Sequence, residues 1–423
     1  MKKRIITSIL MVFMVVSAVG PAFAADTVTA KPTASTILIQ GYSVEFNAYN
    51  INGNNYMKLR DLAWAVSGTE KQFDVDWDGA NNAILLESGV PYTLVDGEMA
   101  VKGEGDKIAR PTSSSIFLDG NKVTFTAYNI EGNNYFKLRD IGEAFDFGVY
   151  WFGTLSTILI DVSQGIEINL NNQGITSELL AQMIEKREIP TGVTHLSLSD
   201  NSITDISVLS RLTDLTMLDL WSNQVSDISP LSSLTGLTEL ELWGNQVNDI
   251  APIGKLTELV RLSLEDVYGA DLSLLSNCEN LLFLGLGSGQ ISDFSPLSTL
   301  TKLKHLHLWG VAQLSDCSIL GKLTNLESLT VNAASITDFA ALGYLTNLTY
   351  LDLQLLNISD VSLLPLDRLT KLTELFLWSN QITDISPLKR LANLTTLGLT
   401  NNPLNENQLS ELSEALPECN IIF

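Results

Sequence analysis

A repeat of 22 residues dominates the chain. The stretch from Leu215 to Gly236, LTMLDLWSNQVSDISPLSSLTG, is followed from Leu237 by LTELELWGNQVNDIAPIGKLTE. The shared frame is L-x-x-L-x-L-x-x-N-x-[IV]-x-D-[IL]-x-P-[LI]-x-x-L-T. It starts at Val193 and again at Leu215, Leu237, Leu259, Leu281, Leu303, Leu326, Leu348, Leu372 and Leu394, with small insertions before Leu326 and Leu372. Self-similarity at a fixed step of this size excludes an ordinary globular core and requires coils that stack.

The spacing within one repeat sets the conformation of its coil. In LDLWSN, leucines alternate with polar or aromatic residues, which is strand periodicity with one face inward. Leu215, Leu218, Leu220, Val225, Ile228, Leu231 and Leu234 form the inward set, and only neighbouring coils can bury it. Asn223 turns the chain out of the strand and has the donors and acceptor to satisfy buried backbone groups of the adjacent coil. Asp227 caps a short 3₁₀ turn, with Pro230 in its first turn. The expected fold is a leucine-rich repeat solenoid over 193–402, with parallel strands on the concave face and 3₁₀ turns on the convex face.

The rest of the chain is arranged around this solenoid. Residues 1–24 read as a secretory signal, with Lys2, Lys3 and Arg4 before an apolar run and Ala22-Phe23-Ala24 as the cleavage site. Residues 25–34 read as a polar linker. Residues 163–192 read as an N-terminal cap, in which Ile166, Ile168 and Leu170 alternate as a first strand and a helix runs from Thr176 or Ser177 to near Lys186. Residues 403–423 break the repeat and read as a C-terminal cap of one helix and one strand. No later run is apolar enough to span a bilayer, and no sorting tail is seen, so no covalent anchor or stable membrane insertion is expected.

Charge and cysteine usage exclude further classes. The formal net charge is −23, which disfavours nucleic acid and anionic membrane surfaces as partners. Much of the acidity is periodic: Asp205, Asp227, Asp249, Asp271, Asp293, Asp316, Asp338, Asp360 and Asp384 share one repeat position. Each stands alone in its repeat, which fits turn capping and not a calcium ladder. Cys278 and Cys317 occupy core positions and read as small hydrophobes. His305 and His307 share the outward face of one strand but lack a third ligand nearby, so no metal site and no cofactor is expected. No nucleophile–acid–base set or phosphate loop is present, and no enzyme is expected.

Between the linker and the cap lies a duplicated unit, 35–162. STILIQGYSVEFNAYNINGNNYMKLRDLAWAV from Ser35 and SSIFLDGNKVTFTAYNIEGNNYFKLRDIGEAF from Ser114 match at 18 of 32 positions. Val44, Phe46 and Ala48 alternate as in one strand, as do Val123, Phe125 and Ala127. Asn52-Gly53 and Glu131-Gly132 suit tight turns, LRDLAWAV and LRDIGEAF short helices, and each half ends in a strand pair. Asp74-x-Asp76-x-Asp78-Gly79 imitates a calcium loop but has Leu85 where the bidentate Glu belongs, and reads as a hairpin turn. The repeated AYNI-x-GNNY-x-KLRD resembles the copper amine oxidase-like N-terminal domain, or stalk domain, of secreted Gram-positive proteins. The resemblance implies a small α+β domain without copper or quinone, and 35–162 contains no histidine.

The repeats, through NQVSDISPLSSLTGL and NQITDISPLKRLANL, resemble the internalin-like class. That resemblance implies a secreted binding protein with a ligand-facing concave surface. The outward strand positions of that surface carry Trp221, Trp243, Trp309 and Trp378 in one column, with Trp221 and Trp243 on adjacent strands. Met217, Phe283, Tyr350 and Phe376 lie in flanking columns, interleaved with Asp219, Glu239, Glu241, Glu265, Asp352 and Glu374. Exposed aromatic patches mark interaction surfaces. The expected role is a secreted or cell-envelope-associated protein that binds a protein partner or mediates adhesion; the alternatives are a glycan or cell-wall binder and a structural spacer. At the asparagine position, Val267, Gly289, Val311, Ala334 and Leu356 depart from the frame, and a locally altered curve or looser packing is expected there.

Overall fold

The structure, a computed structural model, describes residues 27–94, 105–163, 165–264, 270–287 and 291–423. The expected signal segment, Glu265, Val267 and Gly289 lie outside these residues. The chain divides into two compact units. Among the described residues, one takes those up to Thr33, then Phe46–Trp64 and those within Phe73–Ile141; the other takes Ala34–Glu45, Ala65–Gln72 and those within Gly142–Phe423.

The solenoid dominates the second unit. Among the described residues, its twelve strands form one sheet in chain order, from Glu167–Asn169 to Asn420–Ile422. Every pairing is parallel and in step, so Leu218 lies between Leu196 and Leu240 and the leucines stack in columns. The whole inward set of the Leu215 coil is at most 1% exposed. Each such leucine contributes about 1.5–3 kcal/mol by burial, an amount that no single coil can realise alone.

Two polar devices close the coils. Asn223 donates through Nδ2 to the carbonyls of Leu198 (2.9 Å) and Leu220 (3.0 Å), and its Oδ1 accepts from the Ile203 N–H at 3.0 Å. Asn201, Asn245, Asn380 and Asn402 repeat the pattern. On the other side, all nine aspartates of the periodic column accept a hydrogen bond from the backbone N–H two residues on, at 2.8 or 2.9 Å. Each fixes the start of a 3₁₀ turn; that of the Leu215 coil is Ser229–Ser233, with Pro230 in its first turn.

At the three described positions where the asparagine is missing, the side chains stay packed. Val311, Ala334 and Leu356 are 0%, 6% and 5% exposed and belong to the same core. In four of the five coils without the asparagine the strands lengthen instead. Arg261–Leu264, Phe283–Gly287, His305–Trp309 and Ser328–Val331 run four or five residues, where Met217–Asp219 and Glu374–Phe376 run three. The longer ladder engages more of the backbone itself.

Both ends of the solenoid are covered. At the start, Ser177–Glu185 is helical, capped by the Thr176 side chain, and buries Leu180, Met183 and Ile184. At the finish, Glu406–Ala415 opens with a reciprocal capping box between Asn405 and Gln408. The boundary expected at 162 is not a boundary in packing. A sheet of Gly148–Phe152, Thr157–Asp161, Thr36–Ile39 and Tyr42–Ser43 belongs to the second unit. Its Leu38, Phe152 and Leu159 share the solenoid's hydrophobic core. Buried Asp161 accepts from the Glu167 N–H at 2.9 Å, tying this sheet to the first solenoid strand.

The first unit is built on a closed barrel. In barrel order its strands are Val28–Pro32, Ala48–Ile51, Asn54–Lys58, Asn133–Lys137, Ala127–Ile130 and Lys107–Pro111. The first of these strands overturns the expected linker at 25–34. The duplication extends further than 35–162, since Thr29-Ala30-Lys31-Pro32-Thr33 matches Ile108-Ala109-Arg110-Pro111-Thr112. The expected single strand through Val123, Phe125 and Ala127 is also split. Asn121–Val123 pairs in a separate four-stranded sheet and Ala127–Ile130 in the barrel, with 124–126 crossing between them. Val44 and Phe46 likewise fall between Tyr42–Ser43 and Ala48–Ile51. The tight turns form as expected, with Asn52 and Glu131 in the left-handed region at φ 51° and 50°. Asp78 accepts from the N–H groups of Ala80 and Asn81 at the hairpin between Phe73–Asp78 and Ala83–Ser88.

Candidate functional site

Because the strands are in register, their outward residues form three columns on the solvent face of the solenoid sheet. The first runs Met217, Glu239, Arg261, Phe283, His305, Ser328, Tyr350, Glu374. The second carries Asp219, Glu241, Ser263, Gly285, His307, Thr330, Asp352 and Phe376. The tryptophans form the third. Trp221 is 45% exposed, and Trp243, Trp309 and Trp378 are half-buried on the same face.

Trp221 and Trp243 lie on adjacent strands as expected, the Ser222 N–H donating to the Trp243 carbonyl at 2.8 Å. Among the described residues, Trp243 meets Trp309, edge to face with centroids 4.4 Å apart. Three strand spacings, about 14 Å, separate their backbones, so the indoles lean toward each other across two strands. Small residues make this possible: a Cβ on Gly285 would stand 3.2 Å from the Trp309 ring and 3.1 Å from Ser263 Oγ.

From Trp309 the contacts continue. His307 lies 5.1 Å from Trp309 and 5.1 Å from Phe283, both edge-on. The Arg261 guanidinium sits 3.7 Å above the Phe283 ring and donates to Glu241 at 2.6 Å. One guanidinium and four rings thus form a connected surface. Burial, then His305 and Arg261, lower the His307 pKa from its ordinary 6.5 to about 4, so the imidazole is neutral at physiological pH.

A second cluster lies further along. Phe376 packs on Tyr350 at 5.3 Å and on Trp378 at 5.1 Å. The pyrrole edge of Trp378 covers Gly398, where any Cβ would collide with it. Its indole Nε1 is buried and has no hydrogen-bond partner among the described residues, a cost of about 1–3 kcal/mol for a donor left unmet.

The expected carboxylates are not equivalent. Glu239 is exposed and Glu374 half-exposed, while Glu241 is paired with Arg261. Asp219 accepts from the Trp221 N–H at 2.9 Å, and burial raises its pKa. Asp352 does not face solvent as its column position implied. It is 5% exposed, flanked in register by Thr330 and Phe376, and held by Gln354 through N–H and Nε2. Burial pushes it up to about 6. Glu265 lies outside the described residues. Sequence reasoning missed Arg261 and Gly285; the signals were a lone cation on an acidic face and a glycine between aromatic columns.

A family model for leucine-rich repeats in two copies matches residues 191–233 and 370–417. No curated protein matches the chain. Solved structures similar to it include an internalin (inlF) of Listeria monocytogenes, 29% identical over 55% of this chain and 80% of that one, with a TM-score of 0.41. Internalin C2 of the same species is 30% identical over 44% of this chain and 80% of its own, with a TM-score of 0.39. A leucine-rich repeat protein of Leptospira interrogans is 22% identical over 60% and 83%, with a TM-score of 0.44. On the match at both ends and the unbroken parallel sheet between them, the chain is a leucine-rich repeat protein.

Proposed function

We propose that this chain is a non-catalytic binding protein of the internalin-like kind, exported by its N-terminal signal and acting outside the cell. The concave strand face of the solenoid grips a protein partner, and the duplicated N-terminal part serves as a stalk domain of the copper amine oxidase-like type. The observation that carries this reading is the connected surface of Arg261, Phe283, His307, Trp309 and Trp243. Arginine and tryptophan are the side chains that dominate protein interfaces when packed together. Such a surface needs no bond-making chemistry, and the solenoid's strands hold it rigid. Glu239 on its margin, and Glu374 three strands beyond it, favour a partner with basic groups.

The test is binding by the intact protein to an array of extracellular proteins from the same organism. Trp221→Ala combined with Trp309→Ala should weaken capture of any partner by about tenfold or more, the loss expected for central aromatic anchors. Its circular dichroism should match that of the parent. Unchanged capture by the folded double variant defeats the reading.

A further inference from the structure

The first unit contains a cleft that the solenoid reading does not use. It encloses about 730 Å³, within the size range of small-molecule sites. Lys58, Arg60 and Arg110 line it, and Trp77 stands at its side 45% exposed. The chain as a whole has 48 acidic residues against 25 basic ones. In this cleft the balance reverses, three cations against Asp61 and Asp76, and Asp61 is buried. Among the described residues neither Lys58 nor Arg110 is in an ion pair. The Lys58 ammonium is instead placed over the Tyr135 ring at 5.9 Å.

The polar wall is preset. Thr112 Oγ1 donates to Asn134 Oδ1 at 2.9 Å, Asn129 Nδ2 donates to the same oxygen at 3.2 Å, and Ser114 bonds Asn82 at 3.1 Å. A ligand therefore meets amides and hydroxyls already fixed in place. The other half of the duplication carries the same chemistry in sequence: Lys137, Arg139 and Trp151 match Lys58, Arg60 and Trp77, and Lys31 matches Arg110. Asp76 and Asp78, by contrast, correspond to Tyr150 and Phe152. Trp151 is likewise 45% exposed. Barrel packing does not call for a half-exposed indole in either copy, nor for a cation at the Lys31 and Arg110 position.

We propose that this cleft binds an acidic sugar, a pyranose bearing a carboxylate or a phosphate. Trp77 offers a flat apolar surface to the C–H face of the ring. The Arg110 guanidinium takes two oxygens of the anion, and Lys58 adds a point charge. The fixed amides and hydroxyls match the sugar's hydroxyl groups. This inference is independent of the solenoid's strand face.

Calorimetric titration of the full chain with trigalacturonate, glucose 6-phosphate and neutral maltotriose tests it, and separates the carboxylate from the phosphate. At least one acidic probe should bind, about fivefold or more weaker on raising salt from roughly 20 to 200 mM, because the contact is charged. Arg110→Gln and Trp77→Ala should each weaken it by about tenfold, the loss of a paired anion or a stacking surface. Trp309→Ala should leave it unchanged. Should Trp77→Ala melt early, Lys58→Gln takes its place, with the same direction expected. Binding by neither acidic probe, equal binding of maltotriose, or undiminished binding by folded Arg110→Gln overturns the proposal.

Discussion

The end coils and the middle coils of the solenoid solve one problem in two ways. At Asn201, Asn223, Asn245 and Asn380 a buried amide, and at Asn402 a half-buried one, completes the hydrogen bonding of the turn that follows the strand. At Val311 and Ala334 an apolar side chain fills the same place, and the strand runs on. Leu356 is intermediate: its coil keeps the short strand Tyr350–Asp352, and the Leu356 N–H is met by Asn380 of the next coil. A coil therefore needs its backbone satisfied, and the amide is one way of doing so. The aromatic surface spans the change from one solution to the other, since Trp243 belongs to an asparagine coil and Trp309 to a coil without one.

Exchanging the two solutions should fail in both directions. Asn245→Leu leaves the Val225 N–H and the Leu220 and Leu242 carbonyls without the amide, and should cost about 3 kcal/mol in urea unfolding. Val311→Asn should cost about 2 kcal/mol, because it buries an amide where the ladder already takes the Leu308 carbonyl through Asn332 N–H. If Val311→Asn were instead stabilising, the middle coils would be defective asparagine coils and not a second solution. The aspartate caps should not distinguish the regions: Asp249→Ala and Asp338→Ala remove the same bond and should each cost about 1 kcal/mol.

The last effect is in pH dependence. His307 is lowered to about 4 by burial, so between pH 6.5 and 4 the unfolded chain binds more protons and stability falls with pH. Asp352, raised from 3.8 to about 6 by burial, acts in the opposite sense: its cost is full above pH 6 and is relieved as pH falls toward 3.8. Melting temperatures recorded from pH 7 to pH 4 should fall less for His307→Phe than for the parent, and more for Asp352→Asn. Parallel curves for all three would show that these two side chains titrate as they do in the unfolded chain.

The solenoid was legible because its determinants are local. The inward leucines, the Asn223 turn and the nine aspartate caps each follow from residues within one repeat or its neighbour. The candidate site was legible only as columns. That Arg261 would pair with Glu241 and cover Phe283, or that Asp352 would be buried, depends on which side chains crowd each register position. The strand at Val28–Pro32 is not legible in the sequence because it is short, with only Val28 and Ala30 as small apolar residues before a proline, and its partners at Ala48–Ile51 and Lys107–Pro111 are distant in the chain.

By itself the sequence determined the period, the face each leucine takes and the residues that close each coil, because alternation and capping act over a few bonds. Only the tertiary structure decided that the indoles of Trp243 and Trp309 touch across two strands, that the small sheet of the duplicated part joins the solenoid's core, and that cations gather beside Trp77. Those outcomes depend on contacts between residues far apart in the chain, where the size of an intervening side chain such as Gly285 sets what can meet.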